Sequence, residues 1–222
     1  MKHLHSSTTN RSRLAHLRHT IILMAMMTLP NLAHAVDFHV GFGLGPATTE
    51  ENLGFDDGSL SNIDYDEDTL AVTVYGEAEF NRFVRLEFGL IDGGLATMDA
   101  DSSGGTFWWP GPVEVEYGVG GIKVGAVASI PLAPNDQVKL LLKGGMIAWG
   151  SVVTLSDTCC DIRDNDSGLD PYYGIGLEFD LTRLMALRLQ HERFSVDADS
   201  DVFVGGYEFD YQNTTAGIVF RF

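Results

Sequence analysis

Apolar and polar residues alternate with a period of two through most of the chain after residue 35. In 36–45, Val36, Phe38, Val40, Phe42 and Leu44 share one face, with Asp37, His39 and three glycines on the other. In 69–80, Leu70, Val72, Val74, Ala78 and Phe80 oppose Thr69, Thr73, Tyr75, Glu77 and Glu79. After Asn81-Arg82, segment 83–91 sets Val84, Leu86, Phe88 and Leu90 against Arg85, Glu87 and Gly89. The same alternation recurs in 121–130, 137–151, 171–180, 185–194 and 211–222. Alternation over about ten residues predicts a strand with one apolar and one polar face. The segments predict eight strands, an even number.

The connections alternate in length. Asn81-Arg82, 132–136 and 181–184 read as tight turns, whereas 46–68, 92–112, 155–170 and 197–206 read as long links rich in Gly, Asp and Ser. Short turns at one end and long loops at the other is the layout of an antiparallel up-and-down transmembrane β-barrel. The fourth strand is the least regular. Glu114 and Glu116 share the parity of Ile122, so either they stand above the membrane or a bulge at Gly120-Gly121 separates them from it.

Where the charges fall distinguishes this layout from a soluble ligand-binding barrel. The polar faces carry Glu77, Glu79, Glu87, Glu178 and Glu192 against Arg85, Lys123, Lys139, Lys143, Arg188 and Arg221. Five acids against six bases is nearly neutral and points to pairing inside a lumen. The opposite register would put Arg or Lys on lipid at roughly 2–4 kcal/mol each near the midplane. A slip of one residue inverts every side chain, so this cost sets the register. An eight-stranded barrel leaves room inside for side chains only, so a lumen plugged by this charge network is expected.

Residues 1–35 read as a cleaved signal peptide, leaving 36–222 as the barrel domain. Lys2, Arg11, Arg13 and Arg18 precede a short apolar run from Ile21, and Ala33-His34-Ala35 supplies a small-x-small cleavage pattern. That run falls short of the about 20 residues a spanning helix needs. Removing it takes away four of 14 bases and none of 31 acids, so ten bases face 31 acids, a net −21. Such a charge excludes nucleic acid as a partner. The four long links hold 19 acids and one base, Arg163. They read as a solvated, repulsive surface, with divalent cations shared with lipopolysaccharide phosphates as the sharper possibility.

The C-terminal third carries a family resemblance. Tyr172-Tyr173-Gly174-Ile175-Gly176-Leu177-Glu178-Phe179-Asp180-Leu181-Thr182, followed by 185–194, resembles the penultimate hairpin of the small outer-membrane protein A-like barrels. The ending Ala216-Gly217-Ile218-Val219-Phe220-Arg221-Phe222 resembles the assembly signal of that family, with Phe220 and Phe222 on the apolar parity. The resemblance implies insertion into a bacterial outer membrane by the β-barrel assembly machinery, among lipid and lipopolysaccharide. It implies no single activity, since relatives include structural barrels, adhesins and narrow pores. Because the chain stops at Phe222, the peptidoglycan-binding domain of larger relatives is not expected. A structural, adhesive or surface-interaction role without catalysis is the primary reading; a narrow porin-like channel is the alternative.

Other chemistry is sparse, and no cofactor is implied. A lipid A-modifying barrel enzyme would resemble His-x-Ser, but Arg193 stands two positions after His191, and Ser195 comes four after it. Asp197, Asp199, Asp201 and Glu208 imitate the spacing of a calcium loop, but Val202 occupies the position where that loop needs glycine. Trp108-Trp109 would anchor at the lipid interface or present a binding surface. Cys159 and Cys160 are adjacent. Neighbouring Cα atoms sit about 3.8 Å apart, short of the usual ~4.4–6.8 Å of a disulfide. The pair therefore reads as two thiols or a labile vicinal bridge, and less readily as a metal site, since no Cys or His pair answers it.

Overall fold

The computed structural model describes residues 37–52, 58–134, 136–198 and 207–222. The expected signal peptide lies outside these described residues. The strands are β1 (Asp37–Asn52), β2 (Leu60–Asp66), β3 (Asp68–Asn81), β4 (Val84–Ser102), β5 (Gly111–Pro131), β6 (Val138–Ser156), β7 (Asp161–Asp180), β8 (Met185–Ala198) and β9 (Tyr207–Arg221). Eight of them close a ring in the order β4-β3-β1-β9-β8-β7-β6-β5 and back to β4. Every pairing is antiparallel. The short β2 adds no ninth stave. It pairs with the upper part of β4, Leu60↔Ser102 to Asp66↔Thr97, while β3 pairs with the lower part, Val72↔Asp92 to Asn81↔Val84. β2 thus prolongs the line of β3 beyond Glu67, and the fold is an all-β, eight-stranded up-and-down barrel.

Short turns gather at one end. Asn81 Oδ1 accepts the backbone N–H groups of Phe83 and Val84 at 2.9 and 3.1 Å, and the N–H groups of Leu181 and Thr182 reach Met185 O at 3.0 Å. The start of β1 and the end of β9 lie at this end too, where Phe222 N–H donates to Phe38 O at 2.9 Å. Toward this end the outer face is apolar: Phe42, Leu86, Phe88, Val124, Ile175, Leu189 and Phe220 all remain more than 40% exposed. A continuous exposed apolar belt of this kind suits hydrocarbon and not water.

The strands are much longer than the alternating segments alone suggest. β5 has 21 residues and β7 has 20, against the about 9–11 needed to cross a bilayer. Most of 46–68, 92–112 and 155–170, expected as loops, is therefore strand standing clear of the membrane. On β4 and β5 the physical reason is that period two persists, with Met98, Ala100, Val113 and Val115 buried and Asp99, Asp101, Glu114 and Glu116 turned to water; β2 and the upper part of β7 are held as strands by their ladders to β4 and β6.

Of the two arrangements expected for Glu114 and Glu116, the bulge at Gly120-Gly121 is not present, and both residues stand above the belt on the parity of Ile122. β5 keeps one unbroken register with β6 from Glu114↔Ser156 to Pro131↔Lys139. The irregularity sits opposite, on β4 between Asp92 and Leu95. Gly94 takes φ 76°, a conformation costly for other residues. Asp92 Oδ1 accepts the Gly94 N–H at 3.1 Å, and Thr69 Oγ1 donates to Gly93 O at 2.5 Å. Below this bulge Arg85, Glu87 and Ile91 face inward; above it Ala96, Met98 and Ala100 do. One extra residue switches the inward parity and keeps Asp99 and Asp101 outside.

Above the belt the wall divides into two facing sheets. The β7–β8 ladder stops at Tyr172↔Phe194, whereas β7 continues against β6 to Ser156↔Asp161. Strands β1, β9 and β8 stay together up to Asn52↔Glu208 and Ala198↔Tyr207. Among the described residues, β2-β4-β5-β6-β7 thus form one upper sheet and β1-β9-β8 the other. Their inner faces meet in an apolar core, with Met98, Val115, Tyr117 and Leu155 on one side and Phe194, Val196, Phe209 and Tyr211 on the other. The Tyr117 and Phe209 rings stand 6.4 Å apart across it.

Candidate functional site

Inward parity from all eight strands of the ring delivers ionisable side chains to the lower lumen. Nearest the short turns, Arg85 Nε lies 3.0 Å from Glu79, while its Nη1 lies 3.3 Å from Glu77 and 3.0 Å from Glu178. Arg188 reaches Glu77 at 2.6 Å and Glu178 at 2.5 Å. Lys139 stands 3.2 Å from Asp180, and Arg221 pairs with Asp180 and, at 2.7 Å, with Glu178. Glu178, fully buried, is the hub of this cluster. Four cations, Arg85, Lys139, Arg188 and Arg221, here meet four carboxylates, Glu77, Glu79, Glu178 and Asp180.

A second cluster lies one layer higher. Lys143 sits 2.6 Å from both Glu87 and Glu192, and Lys123 sits 2.6 Å from Glu192 and 3.3 Å from Glu87. Two cations meet two carboxylates, so each layer is neutral by itself. Tyr75 joins the layers, its ring 4.8 Å from the Arg188 guanidinium and 5.4 Å from Lys143 Nζ. Tyr172 Oη donates to Glu87 at 3.3 Å. Above this, Trp149 donates to Asp170 at 2.5 Å and begins the apolar core that continues to the tips.

All eleven charges that sequence parity assigns to the lumen are brought into these clusters. Parity alone leaves Arg188 a choice between Glu178 and Glu192. The structure pairs it with Glu178, which stands opposite it in the β7–β8 ladder, and also with Glu77, while Glu192 is held by the two lysines. Two members were missed. Asp180 looks like the edge of a turn, yet it supplies the sixth carboxylate. His39 is buried with its ring nitrogens 3.5 Å from Glu77 and Glu79; its place on the polar face of the first segment was the available signal.

The remaining candidates sit elsewhere. His191 points outward and shares a hydrogen bond of 2.9 Å with Thr214 Oγ1. Ser195 instead donates to Asp210, which also pairs with Arg193 at 2.6 Å. The Ser195 and Arg193 hydrogen bonds hold the Asp210 carboxyl below its usual range. In the calcium-like segment, Asp197 and Glu208 face each other across the β8–β9 ladder. Asp199 and Asp201, and the side chain of Glu208, lie outside the described residues. Trp108 is no interface anchor, being 3% exposed inside the upper core. Trp109 is exposed, but on a link more than seven residues past Leu95, roughly 20 Å above the belt at ordinary strand rise and tilt.

At the far tip two links are tied together. Asp157 Oδ2 accepts Trp109 N–H at 3.3 Å, and Thr158 Oγ1 donates to Pro110 O at 3.0 Å. Cys159 and Cys160 form a vicinal disulfide in this turn. Asp157 Oδ1 accepts their N–H groups at 2.8 and 3.1 Å, and these amides, the Cys159 one first, lower the Asp157 pKa.

Residues 20–222 match the family described as outer membrane protein beta-barrel domain. No curated protein matches the sequence. Among solved structures, the outer membrane protein AlkL in lipid bilayers is similar at 19% identity and a TM-score of 0.51, over 84% of this chain and 90% of that one. Neisserial surface protein A is similar at 10% identity and 0.50, over 83% and 97%. Ail of Yersinia pestis, crystallised with the heparin analogue sucrose octasulfate, gives 13% and 0.48, over 83% and 99%. These likenesses concern the fold. With the closed ring, the lipid-facing belt and a family match over most of its length, the chain belongs to the outer membrane protein beta-barrel domain family, and its place is the bacterial outer membrane.

Proposed function

We propose that this protein is a non-conducting, non-catalytic surface barrel, exported through a cleaved signal peptide, with a structural or surface-interaction role. One observation carries the reading: among the described residues, two ion-pair layers of balanced charge cross the lower lumen and a buried apolar core lies above them. Buried charges in a narrow lumen stabilise only when paired, and each layer is balanced. Ions crossing would have to break both layers and then traverse the apolar core. The outward chemistry agrees with a non-enzyme, since His191 is engaged by Thr214 and Ser195 by Asp210. The acids on the upper outer wall favour a cationic partner, or lipopolysaccharide phosphates bridged by divalent cations, over a bare polyanion.

Planar-bilayer recording on the refolded protein tests this directly. No sustained unit current is expected. A stable, sizeable unit conductance would falsify the plugged-lumen reading and put the porin-like channel first.

The same proposal assigns Phe220 and Phe222 to recognition by the assembly machinery. Phe220 is 44% and Phe222 78% exposed on the outer side, beside the β1–β9 pairing that closes the ring. Deleting Phe222 should lower the amount in the outer membrane and leave periplasmic aggregate. Equal surface abundance of the truncated protein, measured by fractionation, would remove that assignment.

A further inference from the structure

The Cys159–Cys160 turn has no part in the lumen or the belt. Both cysteines are exposed, in the turn between β6 and β7 at the end opposite the short turns. Asp157 is locked beside them by the amides of Cys159, Cys160 and Trp109. The Cys160 sulfur lies 3.9 Å from Asp157 Oδ1, and one ligand atom from each of the three residues falls within 4.8 Å of the others. In the sequence no further Cys or His pair answers the cysteines; the fold of the turn brings the neighbouring Asp157 carboxylate to them.

We propose that Cys159 and Cys160, once reduced, form with Asp157 a surface site for thiophilic metal or metalloid ions. Thiolate pairs select soft ions over the hard cations that carboxylates bind alone. The opening step is thiol–disulfide exchange. A thiolate of an external dithiol attacks one cysteine sulfur, the S–S bond breaks, and the other cysteine leaves as thiolate and takes a proton. The dithiol's second thiolate then closes its own disulfide and releases the first cysteine. Two electrons pass from the dithiol to the protein, which gains two thiols. A trivalent arsenical with an As=O group next exchanges its oxygen for both sulfurs: two As–S bonds form, and the two thiol protons leave with the oxygen as water. A soft divalent cation such as cadmium displaces the same two protons and adds the Asp157 oxygen. Asp157 also acts as a positioning residue, because its hydrogen bonds fix the turn that presents both sulfurs.

The experiment uses the full chain in detergent micelles, with retained heat-dependent gel mobility as the check on folding. The oxidised protein should show no titratable thiol and take up no phenylarsine oxide. After dithiothreitol and desalting, two thiols should titrate, and one phenylarsine group per chain should be gained by intact mass with loss of both thiols. Cys160→Ser keeps one thiol, and its affinity for phenylarsine oxide should fall at least about a hundredfold, because the second bond is no longer intramolecular. Asp157→Asn should still take the arsenical, which needs only the sulfurs, while its cadmium affinity drops about tenfold. A reduced wild type that keeps both thiols free in phenylarsine oxide, or a Cys160→Ser variant that binds as tightly as wild type, would overturn the site. Unchanged cadmium affinity in Asp157→Asn would overturn the role of the carboxylate.

Discussion

Arg188→Ala should destabilise the barrel by about 3–5 kcal/mol, the size expected when a buried ion pair loses one partner. The guanidinium is 1% exposed, spans Glu77 and Glu178, and stacks on Tyr75. Its removal leaves the lower layer with three cations for four carboxylates in a space that water does not readily reach. Arg85, Lys139 and Arg221 are already committed to the same acids, so rearrangement offsets only part of the loss. The loss would be read as a lower temperature for conversion between folded and unfolded gel bands, or a lower denaturant midpoint in micelles. Asp99→Asn, on the exposed upper wall, should change stability by no more than about 0.5 kcal/mol. Adding Glu77→Gln to Arg188→Ala should cost less than the two single changes summed, since residues sharing one network couple by about 0.5–3 kcal/mol. Equal effects of Arg188→Ala and Asp99→Asn, or strict additivity in the cycle, would mean that the lumen charges are not a stabilising unit.

Gly217→Val should prevent closure of the ring. Gly217 sits opposite Gly43 in the β1–β9 ladder, the pairing that joins the first strand to the last. A Cβ there would lie 2.1 Å from Phe42 O and 2.7 Å from the Gly43 Cα. Both are backbone atoms, so no side-chain rotation relieves the overlap, and the cost should exceed the about 1–3 kcal/mol of ordinary overpacking. The expected result is loss of the folded gel band, with protein recovered as aggregate. Gly150→Ala is the matched control, because its Cβ would meet nothing nearer than Asp166 O at 3.9 Å. A folded Gly217→Val barrel with wild-type mobility would show that this pair tolerates a wider spacing than the structure has.

What a reader of the chain can recover follows from a local rule. Side chains alternate across a strand whatever its neighbours are. The face taken by Arg85, Glu87, Arg188 or Phe220 is therefore written in a few residues on either side. The ring of eight strands, the apolar belt and the inward grouping of opposite charges rest on that periodicity, and the family resemblance of 165–222 rests on short motifs.

Register and bulges obey no such local rule. Arg85 and Glu178 are 93 positions apart, and only the ladders around the ring bring them together. Glu178 as hub, Glu192 claimed by two lysines and Asp180 as sixth carboxylate therefore needed the tertiary structure. The upper half was hidden for a related reason. Asp92-Gly93-Gly94 reads as a loop, yet it is a bulge that reverses parity, so Met98 packs inside while Asp99 meets water. Acids that signal a loop in one dimension are, in three, the wet side of long strands. Their dry side became visible only when the facing sheet supplied Phe194, Phe209 and Tyr211 to cover it. Burial depends on what lies opposite, and that was decided by the fold.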